Sequence, residues 1–224
     1  GVNVVSKGFP EYFQTKGIDT YNWSFFPNGV DKEFVNLPCM ENKNSKNIKT
    51  ILYAGNIGSG QGLETILPAT AKHMSSKYHF LVIGDGGARS KLINVIKKEN
   101  INNIEILPPV KRDELIAYYQ DADILFLHLN DLPAFKRVLP SKIFEYTALG
   151  KPIVAGLGGY SAQFMVDNVP NSIVFAPGDV EGCVDAIRKI EKLDIKSETT
   201  DVFVKKYSRE KIMDRMAGHI FSVL

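Results

Sequence analysis

Short apolar runs recur along this chain and are separated by longer amphipathic stretches. The runs predict strands at 23–26, 50–54, 79–83, 104–107, 124–127, 152–155 and 172–175. Several, such as Ile124-Leu125-Phe126-Leu127, are apolar throughout, which suits strands covered on both faces of a parallel sheet. The stretches between them predict helices at 63–74, 88–99, 112–119, 141–149, 162–166 and 180–193. Regular strand-helix alternation predicts an α/β fold: a doubly wound parallel sheet with right-handed crossovers.

Three segments lie outside that pattern. Residues 41–49 are polar, rich in Asn and Lys, and read as an exposed loop. From Asp201 onward, Ser208 reads as a helix cap, with Ile212, Met216, Ile220 and Val223 following at helical spacing. Gly1-Val2-Asn3-Val4-Val5-Ser6 opens at once on a strand-like run and reads as the middle of a longer protein. No internal repeat or low-complexity tract stands out.

Composition narrows the classes. Of 224 residues, 44% are hydrophobic and 23% charged, enough for a sizeable core in a soluble domain. The net charge of +2 gives no electrostatic case for a nucleic-acid partner. Cys39 and Cys183 lie far apart, fit no metal spacing and read as free thiols of a reducing compartment. His73, His79, His128 and His219 form neither a metal nor a triad pattern; His128 reads as packed at a strand end. No apolar run is long enough to span a membrane, and no signal peptide is visible in the sequence as read.

The candidate chemistry gathers at the ends of the predicted strands, where doubly wound sheets bind ligands. In Pro140-Ser141-Lys142-Ile143-Phe144-Glu145-Tyr146, the proline suits a helix start, and Gly150 with Pro152 ends the helix. Ser141, Lys142 and Glu145 can then share one helix side near its N-terminus, a place suited to a ligand with phosphates and sugar hydroxyls. Gly55, Asn56, Gly58, Ser59, Gly60, Gln61 and Gly62 follow one strand, and Gly84, Asp85 and Gly86 another; such loops let backbone N–H groups approach phosphate. Their spacing is neither the dinucleotide fingerprint nor a P-loop. Pro109 and Val110 form a rigid edge for a flat base, and Phe135, Lys136 and Arg137 precede the Pro140 helix.

Taken together, these segments resemble the C-terminal, donor-binding half of retaining GT-B glycosyltransferases of the group 1, or family four, class. Pro27-Asn28-Gly29-Val30-Asp31 with Phe34 is similar to that family's lead-in to its second domain. Tyr53–Asn56 with Gln61-Gly62-Leu63 and Leu81–Gly86 with Arg89 resemble its two glycine loops. Glu145 with Gly150-Lys151-Pro152 resembles the second half of its Glu-x7-Glu signature. The variant found here is most similar to bacterial O-antigen and capsule enzymes of the fucosamine-transferase type.

The resemblance implies a Rossmann-like C-terminal half of a GT-B fold. Residues 1–30 would lead in from a missing N-terminal domain, 31–200 would bind the nucleotide sugar, and 201–224 would form a helix packing back toward that missing domain. It implies retaining transfer from a nucleotide-diphosphate sugar, a UDP-sugar above all, to a saccharide or lipid-linked acceptor held by the missing domain. No metal or other cofactor is required. The setting is cytoplasmic, with peripheral contact at the inner membrane face. Alone, the chain should bind donor without efficient turnover. Glu145 is expected to accept from ribose hydroxyls, and Gly84–Gly86, Pro109 and Val110 to lie by the base.

Two departures stand out. Arg137 occupies the position of the first signature Glu, which leaves sugar recognition open and admits an acidic sugar. Asn56 and Gln61 stand where relatives place Arg and Lys on the diphosphate. Lys142 and Arg137 are therefore expected to supply the missing cations, and with Glu145 they form the expected catalytic set. Two alternatives remain: a nucleotide-sugar 2-epimerase and an inactive nucleotide-sugar-binding scaffold.

Overall fold

A computed structural model describes residues 1–35, 48–74, 76–195 and 197–222. Cys39, Val223 and most of the 41–49 loop lie outside the described residues. In order, the elements are β1 (Val2–Val4), α1 (Phe9–Gln14), β2 (Trp23–Phe25), α2 (Lys32–Val35), β3 (Lys49–Ala54), α3 (Leu63–His73), β4 (Tyr78–Ile83), α4 (Arg89–Lys98), β5 (Ile104–Leu107) and α5 (Arg112–Asp121). They continue with β6 (Ile124–His128), a 3-10 turn (Phe135–Arg137), α6 (Lys142–Ala148), β7 (Ile153–Gly156), α7 (Gly159–Asn168), β8 (Ser172–Phe175), α8 (Val180–Ile190), α9 (Ser197–Tyr207) and α10 (Arg209–Ser222).

Six strands form one parallel sheet in the order β5-β4-β3-β6-β7-β8. This is the doubly wound order with its switch point between β3 and β6, where a crevice opens at the carboxyl ends of the strands. Alternation along β3 divides the core: Ile51 and Tyr53 join the cluster under α3 and α8, and Leu52 and Ala54 join the one under α6 and α9. Both faces are therefore dry, as the apolar strands require.

The segment 23–26 does not extend this sheet. Trp23–Phe25 pairs with Val2–Val4 in a separate two-stranded parallel sheet. The C-terminal tail forms two helices rather than one, with Ser208 between them in a bridge to Val30. Phe203 and Tyr207 of α9 pack against Phe144 and Phe164, and Ile212 of α10 is buried. The Asp31 carboxylate meets Arg112 at 3.2 Å and Arg209 at 2.6 Å, tying the 29–35 segment to the starts of α5 and α10.

Helix α6 begins one residue later than the sequence pattern suggests. Ser141 is its N-cap, in a helical conformation with no side-chain cap bond, and Pro140 precedes it. Its end follows the expected logic: Gly150 adopts φ +65° and donates its N–H to the Thr147 carbonyl at 3.0 Å. Buried Lys151 then donates to the Gln120 and Ala122 carbonyls at 2.7 and 2.9 Å, a cation at the exposed carbonyl end of α5.

Candidate functional site

A pocket of about 290 Å³ opens at the carboxyl ends of β3, β4 and β5. Gly55 and Asn56 line it from the first glycine loop, Gly84 and Asp85 from the second, and Pro109, Val110 and Leu115 close its apolar wall. The two loops are held together by backbone. Gly55 N–H donates to Ile83, Ile57 N–H to Asp85, and Ala88 N–H to Ile57, at 2.8, 2.7 and 2.9 Å. Gly84, at φ +151°, passes so close to the Gly55 carbonyl that no Cβ fits between them.

Helix α6 meets this pocket from across the switch point. The Lys142 ammonium lies against Gly55, which adopts φ +145°, so a Cβ there would meet the end of the lysine side chain and strain the backbone. Burial pushes the Lys142 pKa down from its ordinary value, while the Glu145 carboxylate pulls it the other way. Glu145, half-buried one turn along, also acts electrostatically on Tyr119, Tyr146 and Arg112. Tyr146 is fully buried, and its hydroxyl accepts from Ala54 N–H at 3.3 Å, so α6 fixes the end of β3 as well as presenting Lys142.

The first loop is closed by its own side chains. Gln61 Oε1 accepts from Gly58 N–H at 3.1 Å and from Asn56 Nδ2 at 3.2 Å. Tyr53 donates to the Asn56 carbonyl at 2.6 Å, and Asn130 binds the carbonyls of Ser59 and Gly60. His128 is buried at the end of β6, as expected. Its Nδ1 lies 2.6 Å from the Gln61 carbonyl, and its Nε2 accepts from Gly178 N–H at 3.0 Å. An Nε2 that accepts must carry no proton, so this ring is the neutral tautomer protonated at Nδ1. Burial lowers its pKa accordingly.

Not all the expected residues converge. Phe135 packs its ring against Gly60, within the loop's reach. Asp85 accepts from Gly86 N–H at 2.8 Å, and Ser141 stays exposed at the start of α6. Arg89 opens α4 without lining the pocket, and its Nε is buried with no hydrogen-bond partner among the described residues. Arg137 lies elsewhere: its guanidinium carbon sits 3.8 Å from the Tyr12 ring centroid, in a separate cleft against α1. The expected pairing of Arg137 with Lys142 on one ligand group therefore has no support in the geometry. Sequence reading missed Leu115 and Asn130, and it quoted Tyr53 and Tyr146 within their motifs without giving either a role. The tyrosines and Leu115 carry core-like patterning; Asn130, polar and just past a buried strand, was the one available signal.

Among the described residues no group of three His, Cys, Asp or Glu side chains is placed to hold a metal ion, and no helix is long and apolar enough to cross a membrane. Cys183 is buried, its thiol pushed up to about 12 chiefly by desolvation.

The family model for glycosyl transferases group 1 matches residues 40–209. The chain belongs to the group 1 glycosyl transferases. Escherichia coli K12 WcaI, whose name assigns it to glycosyl transfer in colanic acid biosynthesis, is 28% identical over 203 residues, covering 84% of this chain and 48% of WcaI. An uncharacterized glycosyltransferase of Methanocaldococcus jannaschii is 26% identical over 193 residues, 82% of this chain and 49% of that protein. The group 1 chain here thus spans about half the length of the curated relatives it matches. In fold it is similar to Anabaena HepE in complex with UDP and glucose, with a TM-score of 0.80, 18% identity, and coverage of 99% of this chain and 62% of HepE. It is also similar to the apo lipopolysaccharide outer core galactosyltransferase WaaB, with a TM-score of 0.77, 15% identity and coverage of 99% and 62%. The sheet order and the flanking helices are those of the Rossmann-like half of a GT-B fold.

Proposed function

We propose that this chain is the donor-binding half of a retaining glycosyl transfer enzyme that uses a nucleotide-diphosphate sugar, a UDP-sugar first among them, in building bacterial surface polysaccharide. The observation that carries the reading is the meeting of Lys142 with Gly55 beside a pocket walled by Pro109, Val110 and Leu115. A flat base fits the apolar wall. A diphosphate then runs along the glycine loops toward Lys142. HepE, of similar fold, holds UDP, which supports this base over others.

Departure of the diphosphate builds negative charge on its oxygens. A fixed cation and oriented N–H groups that meet that charge lower the barrier. In this reading Lys142 meets that charge, helped by the N–H groups of the 58–62 loop other than those of Gly58 and Gln61, which are bonded within the loop, and by the exposed Ser141 hydroxyl. A partly buried ammonium is the stronger choice, because weak solvation leaves its field unscreened. Glu145 keeps that lysine charged and accepts from ribose hydroxyls. The acceptor, a saccharide or a lipid-linked saccharide, is held by a partner domain.

A second reading draws on Asn56 and Gln61. They hydrogen-bond to each other and to Gly58 instead of offering cations, which favours a module that holds a nucleotide sugar without transferring it. Product analysis separates the two. The protein carrying this chain, given UDP-sugars and a saccharide acceptor, is expected to release UDP with an acceptor-dependent product of retained anomeric configuration. Glu145→Gln is expected to weaken donor binding with the melting temperature held. Binding without turnover of any activated donor selects the scaffold, and turnover without acceptor selects the epimerase.

A further inference from the structure

A second cleft, sharing no lining residue with the β3–β5 pocket, lies between the 7–15 segment and the Phe135–Arg137 turn with the start of α7. It measures about 640 Å³, and its walls include Lys7, Glu11, Tyr12, Arg137, Tyr160 and Gln163. The walls are fixed to each other. Ser6, fully buried, donates to the Arg137 carbonyl and accepts from Gly8 N–H at 3.2 Å. A Cβ on Gly8 would stand 2.7 Å from that carbonyl and 2.9 Å from Tyr160 Cβ. The Tyr160 hydroxyl is hydrogen-bonded to the Lys7 backbone.

The cleft's charges are unusual. The Arg137 guanidinium carbon sits over the Tyr12 ring, 3.8 Å from its centroid, and among the described residues no carboxylate pairs with it. Lys7 sits 5.2 Å over the Phe25 ring, likewise without an acidic partner there. Lys136 is spent on Asp131 at 2.9 Å. With Glu11 also lining the cleft, one net positive charge remains. Stacking on an aromatic face holds a guanidinium in place while leaving its N–H edge free, which pre-organises it for a planar, two-oxygen anion. Glu11 and Gln163 can take hydroxyls, and the Tyr160 ring supplies an apolar wall.

We propose that this cleft binds a sugar bearing a single carboxylate, a uronic acid, with the carboxylate on Arg137 and the hydroxyls on Glu11 and Gln163. The choice of a sugar rests on the transfer reading above; the choice of a singly charged carboxylate rests on the cleft. Glu11 opposes a phosphate dianion, whose second charge the remaining cation cannot balance.

The test is an NMR titration of the 224-residue chain with glucuronate, glucose and glucose 6-phosphate, and separately with UDP. Glucuronate is expected to shift Tyr12, Tyr160 and Gln163 resonances and to bind at least about tenfold tighter than glucose, the gain of one charge-assisted pair. Arg137→Ala should remove that preference, and Arg137→Lys should keep part of it with the melting temperature held. Equal binding of glucuronate and glucose, no saturation by glucuronate, or a preference that survives Arg137→Ala overturns the proposal. Tighter binding of glucose 6-phosphate than of glucuronate overturns it in favour of a phosphate site. Glucuronate binding with no response to UDP leaves the cleft standing and removes the donor-binding reading.

Discussion

The ammonium of Lys142 lies where a side chain at residue 55 would have to stand. The two residues are 87 positions apart and arrive from opposite sides of the sheet's switch point, on α6 and at the end of β3. Gly55→Ala would have to hold φ +145° and displace the lysine together. We expect a loss of roughly 1–3 kcal/mol in urea denaturation from the backbone strain alone. We also expect at least about tenfold weaker UDP binding if Lys142 moves away from a charge-assisted contact. A variant that keeps wild-type UDP affinity would show that the contact does not position the cation.

Burial lowers the pKa of Lys142, so its charge opposes folding of the unliganded chain. Between the lowered folded value and the ordinary lysine value of 10.5, the unfolded chain binds more protons than the folded one. Stability therefore rises with pH through that window. Lys142→Met should remove this alkaline rise and hold or raise the melting temperature at neutral pH. Thermal melts from pH 7 to pH 10 on both proteins check this; a lower melting temperature for Lys142→Met would mean that the ammonium holds the fold together.

His128 behaves in the opposite pH range. It joins the Gln61 carbonyl to Gly178 N–H, and only the neutral ring can accept from Gly178. Its folded pKa lies below the ordinary histidine value of 6.5, so the unfolded chain takes up the proton first as pH falls. The contribution of the neutral ring is complete above 6.5 and is lost progressively below it. His128→Gln should cost about 2 kcal/mol at pH 7.5, for two hydrogen bonds of about 1 kcal/mol each, and should flatten the acid slope. Denaturation midpoints at pH 7.5 and 5.5 measure both.

Tyr146 carries the end of β3. Removing its hydroxyl leaves Ala54 N–H buried with no acceptor, which costs about 1–3 kcal/mol. Tyr146→Phe should keep the fold, since the ring still fills its place beside Tyr119 at 5.5 Å, and should weaken UDP binding through the shifted Gly55 loop. Unchanged stability with unchanged UDP binding would mean that this hydrogen bond does not fix the loop.

The sheet was legible because its strands are covered on both faces, so Ile124–Leu127 and the other apolar runs marked themselves directly. Local backbone chemistry was also legible, as with Gly150 just past the end of α6. The pairing of 23–25 with 2–4 was not, because a three-residue strand carries no period that could name its partner. The helix expected at 162–166 starts earlier as α7, with Gly158 as its N-cap and Gly159 as its first residue, because backbone hydrogen bonding and not apolar spacing sets its start. At the site, the glycine loops and α6 could be read from local spacing. The contact of Lys142 with Gly55, the Gln61 clasp and the stacking of Arg137 on Tyr12 could not, since they depend on side-chain direction across long sequence separations. Asn56 and Gln61 looked like absent cations, yet their role in the fold is to close the loop on itself.

The central claim is that a nucleoside diphosphate binds at the β3–β5 pocket with its phosphates toward Lys142. Calorimetric titration of the chain with UDP and with uridine, on wild type and on Lys142→Met, tests it most directly. The account predicts saturable UDP binding at least about tenfold tighter than uridine, with that gap collapsing in Lys142→Met while uridine binding is retained. Equal affinities for UDP and uridine, or a gap that survives the substitution, would contradict it.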